Sequence, residues 1–425
     1  MTQERHHPHT ADERMTLAQE WSQLVLKVRE LDNFRDFLRP PPLRTLQPAA
    51  AGGPVVVVNV SRWRCDALVV RSDGISGVPL PGLSLEDTLT WADTYLRTLQ
   101  DAERRSEERD RLRERPAPTM AERQAAQRAE RDLVKARAAT EAMLTDLLGW
   151  MWDVIAEPVL KALQLPETAE LPRIWWCPTG PLTLLPLHAA GRHGERRSVM
   201  DRVVSSYTPT LRALLEARTP VDPARAGAER LLVVGLMETE GQRTLPGVAE
   251  ELAFLTALIP GERRTDLLGS RASCDAVRVA MRTHRWAHLS CHGHQELDDP
   301  SRGGLILHDG VLTAADLAAE QYQAEFAWLS ACKTATGGVN LLDEAITLAA
   351  AMHYTGYRHV IANLWSVYDS GATTGLSAAV YREIAVDGRL RPERSARALH
   401  RAVVRLRDEA VDQPSVWTPF THTGP

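Results

Sequence analysis

Phe326-Ala-Trp-Leu-Ser-Ala-Cys-Lys-Thr-Ala-Thr-Gly-Gly338 is a short apolar run that stops at Cys332 and passes into Thr and Gly. Phe326 to Ala331 is too short for a helix and is followed at once by small breakers, the pattern of a buried parallel strand reaching its end. Cys332 then sits at the strand's carboxyl end, where open α/β sheets place their sites. Trp286-Ala-His-Leu-Ser-Cys-His-Gly-His294 has the same shape and ends in His292 and Gly293. The 40 residues between His292 and Cys332 leave room for one crossover to a neighbouring parallel strand. A thiol gains from such a neighbour, because an imidazole accepts its proton and stabilises the thiolate as an ion pair.

A third stretch, Ile361-Ala-Asn-Leu-Trp-Ser-Val-Tyr-Asp369, follows in order. Together with Leu289-Ser-Cys-His-Gly293 and Leu329-Ser-Ala-Cys-Lys-Thr334 it resembles the CHAT family of caspase-like and separase-like cysteine peptidases, over roughly residues 55 to 420. The resemblance implies Cys332 as nucleophile, His292 as general base and acid, and the backbone N–H groups of Gly293 and Cys332 as oxyanion donors. It also implies a carboxylate, Asp369, lining the pocket for the residue before the scissile bond and favouring Arg or Lys there. The alternative for Asp369 is a helix N-cap, since it and Ser370 directly precede a helical pattern.

The 425 residues are enough for two or three domain-sized units. A net charge of −5, with no basic block free of acids, argues against direct nucleic-acid binding. The sequence contains no signal peptide and no run of eighteen apolar residues, so a cytoplasmic protein without membrane contact is expected. Cys65, Cys177, Cys274, Cys291 and Cys332 are an odd, widely spaced set with no CxxC pair, which disfavours a disulfide framework or structural zinc. His288, Cys291 and His294 could suggest a metal cluster, but alternation along a strand points 288 and 291 to opposite faces, favouring core and rim roles. No metal or cofactor is expected.

Along the chain, residues 1–54 read as a frayed tail followed by one amphipathic helix that Pro40-Pro-Pro42 ends. Residues 55–220 hold strands at Pro54–Val60 and Ala67–Val70, two long helices, and a strand Arg173–Cys177. Between the helices, Asp101 to Arg137 reads as a solvated hairpin laced with ion pairs, with a partner-binding arm as the other reading. Cys177 and His188 lie here too, but no strand-end breaker follows either, so both read as core or turn residues. By resemblance this segment is a pseudo-peptidase half. Residues 228–425 alternate strand and helix regularly and imply a mostly parallel sheet covered on both faces, the caspase-like α/β/α sandwich. Asp343 and Glu344 complement the positive end of the helix they open.

The expected activity is intracellular cysteine endopeptidase, cleaving a protein substrate through a thioester acyl-enzyme. The resemblance further implies a regulatory protein or complex as activator, a substrate encoded nearby, and a place in bacterial defence or programmed death. A catalytically weak adaptor that uses the fold as an interaction scaffold is the alternative. Segments 294–304 and 333–342 border the site and carry Gly303, Gly304, Gly337 and Gly338, a pattern expected of loops that a partner orders.

Overall fold

The computed structural model describes residues 11–31, 34–35, 37–39, 41–113, 119–165, 170–219, 227–294, 299–330, 348–365 and 370–425. Residues 1–48 and 49–425 form two compact units. The first holds helix α1 (Ala11–Arg29), which is followed by a turn where the Arg29 guanidinium donates to the Phe37 carbonyl at 2.8 Å.

The second unit is built on one eleven-stranded sheet. Its first strands are β1 (Val55–Asn59), β2 (Asp66–Arg71) and β3 (Gly74–Pro79), an antiparallel meander. Helices α2 (Leu85–Arg113) and α3 (Met120–Met151) come next. They form the expected hairpin, with Glu130 between Arg109 at 3.6 Å and Arg113 at 3.0 Å. Thr119 starts α3 with a capping box, donating its amide to Glu122 while its hydroxyl accepts from the Glu122 amide.

Strands β4 (Arg173–Pro178) and β5 (Val204–Tyr207) extend the sheet in parallel beyond β1. Helix α4 (Leu211–Arg218) follows, then β6 (Ala228–Gly235), α5 (Gly247–Leu258), β7 (Arg264–Leu268), α6 (Cys274–Thr283) and β8 (His284–Ser290). A small antiparallel sheet of β9 (His292–His294), β10 (Gly304–Leu307) and β11 (Gly310–Thr313) projects from the end of β8. The main sheet resumes with β12 (Ala324–Leu329) and β13 (Tyr357–Asn363), with α7 (Leu348–Tyr354) between them. Helices α8 (Ser370–Ile384) and α9 (Ser395–Glu409) and strand β14 (Phe420–Thr423) complete it.

The spatial order is β3-β2-β1-β4-β5-β14-β13-β12-β8-β6-β7. From β13 to β7 every pairing is parallel, and β8 is buried at six of its seven positions and half-buried at Arg285. A strand buried at consecutive positions is covered on both faces, which is the expected sandwich.

The sequence pattern does not single out β5 or β14, yet β14 lies between the two parallel halves. It runs parallel to β5 and antiparallel to β13, so one sheet joins the two halves. Gly424 closes this junction: its φ is +117°, and a Cβ there would lie 1.9 Å from the Arg358 carbonyl oxygen.

The histidine strand also ends earlier than its sequence pattern suggests. It stops at Ser290, and His292 opens a different sheet.

Candidate active site

Strands β8 and β12 run side by side in register, Trp286 opposite Phe326 and Leu289 opposite Leu329. The ladder extends one step past the strands, where the Ser330 amide donates to the Leu289 carbonyl at 2.9 Å. The two chain segments therefore reach the carboxyl edge of the sheet side by side, at Ser290 and Ser330. Cys332 and Asp369 lie outside the described residues, as do Asp343 and Glu344.

His292 is buried at 7% exposure, the first residue of β9, and its partner across the ladder is Ile306. Its Nε2 lies 2.7 Å from the carbonyl oxygen of Arg243. A carbonyl can only accept, so Nε2 carries the proton; in the neutral ring Nδ1 then bears the lone pair, and it has no hydrogen-bond partner among the described residues. Burial lowers the pKa of this imidazole, opposed by the Arg243 carbonyl, so the ring favours its neutral form. Gly293 follows, opposite Leu305.

Beside these strand ends is a cleft of about 310 Å³. Its walls include Ser290, Ser330 and Asn363 from the ends of three parallel strands, and Arg109 and Arg137 from the α2–α3 hairpin. The long helices that precede the regular α/β segment thus build one wall of the cleft. At its floor is Glu251 of α5, 3% exposed. Its Oε2 accepts from Ser290 Oγ at 2.5 Å and from His288 Nε2 at 3.2 Å, and its Oε1 from Ser330 Oγ at 2.8 Å and Ser377 Oγ at 3.3 Å. Burial alone would raise the pKa of this carboxyl, but the His288 ring and the serine hydroxyls outweigh it and hold the group below the ordinary carboxylate range.

His288 is therefore a core residue. Its Nδ1 faces the Tyr381 hydroxyl at 3.1 Å, and its ring lies 21° from the plane of Trp328. Cys291 is buried, and neighbouring His294 is exposed at the rim.

Two contributors were not singled out by sequence reasoning. Arg243 acts through a backbone carbonyl, which carries no residue signature. Glu251 did leave one: with Val248 and Leu255 it occupies the buried face of α5, an acid among apolar positions.

Cys177 and His188 are placed as core residues. Cys177 is 6% exposed, its Sγ is 3.4 Å from the Pro209 carbonyl, and burial pushes its thiol up to about 12. His188 has both ring nitrogens occupied, by the Tyr207 hydroxyl and the Thr418 carbonyl at 3.0 Å each, and burial lowers its pKa to about 4.

Comparison with known proteins bears on these features. No curated protein matches the chain. Two crystal structures of the Saccharomyces cerevisiae separase–securin complex, at 3.0 and 2.6 Å resolution, share its fold with TM-scores of 0.59 and 0.57. Identity is 11% in both, and each alignment covers 98% of this chain but 34% of the separase chain. The chain thus spans about a third of the length of the proteins it resembles. No helix among the described residues is long and apolar enough to cross a membrane. The CHAT domain profile matches residues 145–425, about two thirds of the sequence, and the chain belongs to the CHAT domain family.

Proposed function

We propose that this chain is a cysteine endopeptidase, with Cys332 as nucleophile and His292 as base and acid. The observation that carries the reading is the pairing of β8 with β12 through the Ser330–Leu289 hydrogen bond, beside an imidazole whose tautomer the Arg243 carbonyl fixes. A base held by a third group is the general form of an activated nucleophile site.

In the proposed reaction His292 Nδ1 takes the Cys332 proton, and the thiolate attacks the scissile carbonyl carbon. The oxyanion is received by the N–H groups of Gly293 and Cys332. Collapse breaks the C–N bond as His292 returns its proton to the leaving amine, leaving a thioester. Water then attacks, His292 accepts its proton, and the acid and free thiol are released.

Residues 55–220 serve in this reading as a non-catalytic half that supplies a cleft wall, and 228–425 as the catalytic half. Separase is solved bound to securin, and a protein partner that gates the site is proposed here by analogy. A cytoplasmic protein of a bacterial defence or death pathway is the setting that fits a gated protease. Asp369 is assigned to the pocket for the residue before the cut, where it prefers Arg over Lys and both over neutral residues.

An electrophilic peptide probe tests the core of this reading. It should label the wild-type chain at Cys332 and leave Cys332→Ala unlabelled; label mapped to Cys65 or Cys291 would overturn the assignment. Turnover by the isolated chain equal to that with its partner would remove the gating. In a peptide library, Asp369→Asn should flatten the preference for Arg while sparing probe labelling. A wild-type preference for apolar or acidic residues returns Asp369 to the role of helix cap.

A further inference from the structure

The two arms carry the same short pattern, Leu289-Ser-Cys-His292 and Leu329-Ser-Ala-Cys332, with a serine two residues before each reactive side chain. Both serines donate to the carboxylate of Glu251, Ser290 to Oε2 and Ser330 to Oε1. We propose that Glu251 is a positioning residue that clamps the exits of the histidine and cysteine arms at a fixed separation. The inference rests on the Cys332–His292 reading above and adds to it the group that sets the distance between them.

Geometry favours this role over a direct one. Three donors hold Glu251, His288 and Ser290 on Oε2 and Ser330 on Oε1, while Ser377 Oγ lies 3.3 Å from Oε1 and shares its one proton with the Thr374 carbonyl at 3.1 Å. With about four lone-pair sites, most of them already taken by protein donors, the buried carboxylate is poorly placed to receive a substrate cation. The three donors come from β8 and the end of β12, while the carboxylate itself sits on α5. One buried group thus ties these segments where they meet beneath the cleft. Ion-strengthened hydrogen bonds of 2.5 and 2.8 Å resist displacement more than a neutral contact would. A thiolate–imidazolium pair is sensitive to its spacing, because a misplacement on the order of 1 Å costs about a hundredfold in rate.

The test uses the full chain and two readouts. One is the pH profile of Cys332 alkylation by iodoacetamide, a reagent too small to need substrate recognition. The other is hydrogen–deuterium exchange of the amides at Ser330 and across Ser290–Gly293. In Glu251→Gln, exchange should rise at both arms and the alkylation profile should move up toward that of an ordinary thiol, near pH 8.5. Its rate at pH 6 should fall by about a hundredfold.

Since Glu251→Gln could unfold, Ser330→Ala provides a milder break that should shift both readouts in the same direction, and Ser330→Thr, which keeps the hydroxyl, should restore them. Unchanged exchange and profile in folded Glu251→Gln and in Ser330→Ala would overturn the clamp, as would exchange that rises equally in β1 and β4. If wild-type Cys332 alkylates as a free thiol, the dyad reading fails. The clamp is then judged by exchange alone: a rise confined to both arms supports it, and no rise overturns it.

Discussion

The two parallel halves of the sheet each carry a cysteine and a histidine, yet the histidines are held differently. In the half built from β1, β4 and β5, Cys177 is sealed against a carbonyl and His188 has a partner on each ring nitrogen. In the half built from β13, β12, β8, β6 and β7, the chain turns away after Ser290 into a small separate sheet that His292 opens, and one imidazole nitrogen is held while the other has no hydrogen-bond partner among the described residues. Side-chain identity is thus a poor guide to reactivity. What distinguishes the two histidines is whether the second ring nitrogen is occupied by a neighbour among the described residues.

The sharpest way to break this comparison is to remove each histidine in turn. His292→Ala should lower probe labelling and peptide cleavage by about 10²- to 10⁴-fold, the usual range for losing a general acid–base group. His188→Ala should leave labelling intact but destabilise the fold by about 2 kcal/mol, since the buried Thr418 carbonyl loses its donor and the Tyr207 O–H its acceptor, although the Tyr207 oxygen keeps the backbone N–H of residue 188. Chemical denaturation and probe kinetics on both variants decide the matter. Loss of labelling in His188→Ala would erase the distinction.

pH acts on both halves and on the strand between them, because each holds a buried histidine. His188 and His353 are both lowered by burial to about 4, and His359 and His422 are lowered well below the ordinary value, also by burial. An unfolded histidine binds its proton near pH 6.5, so below that pH the unfolded state holds more protons and stability falls toward pH 4. Thermal melts from pH 7.5 to 4.5 should show a steep decline. The acid limb of peptide cleavage should lie below that of a free imidazole, because burial lowers His292 too.

A third contrast concerns the thiols. With Cys177 pushed up to about 12 by burial, native protein treated with iodoacetamide at pH 8 should be modified at Cys332 and not at Cys177, as read by mass spectrometry. Modification of Cys177 at a comparable rate would show that its strand end opens. The smallest effect is expected in the hairpin, where Glu130→Gln removes ion pairs to Arg109 and Arg113. These pairs are partly solvated, so the change in unfolding free energy should stay within about 0.5 kcal/mol.

Much of this was legible in the sequence because hydrophobic patterning and turn chemistry are local. The strands at Pro54–Val60, Ala67–Val70 and Arg173–Cys177 and the two long helices appear where their residues predict them. Strands β5 and β14 are invisible to the same reasoning, since Val204-Ser-Ser-Tyr207 and Phe420-Thr-His-Thr423 are half polar. Their polar groups satisfy one another across the sheet. Ser206 lies 2.8 Å from His422 Nδ1, Arg173 donates to Ser206 at 2.6 Å, and His359 and Ser395 lie 3.2 and 3.1 Å from His422 Nε2. Such strands are specified by distant partners that a hydrophobicity pattern does not contain. For the site, residue types at strand ends pointed to His292, whereas the Arg243 carbonyl needed the fold, and Glu251 needed the question of which acid on a helix faces inward.

The place of β14 has a consequence for how the molecule is made. A ribosome delivers β1 through β13 before it delivers Phe420–Thr423, yet that late strand is the one that fits between β5 and β13. Until residues 420–423 emerge, the facing edges of β5 and β13 lack their partner, and sheet edges left bare seek one elsewhere. The sheet is therefore finished at its centre rather than at its rim. The cleft, which stands on the carboxyl ends of β8, β12 and β13, would then lack a finished sheet beneath it before residues 420–423 have been translated.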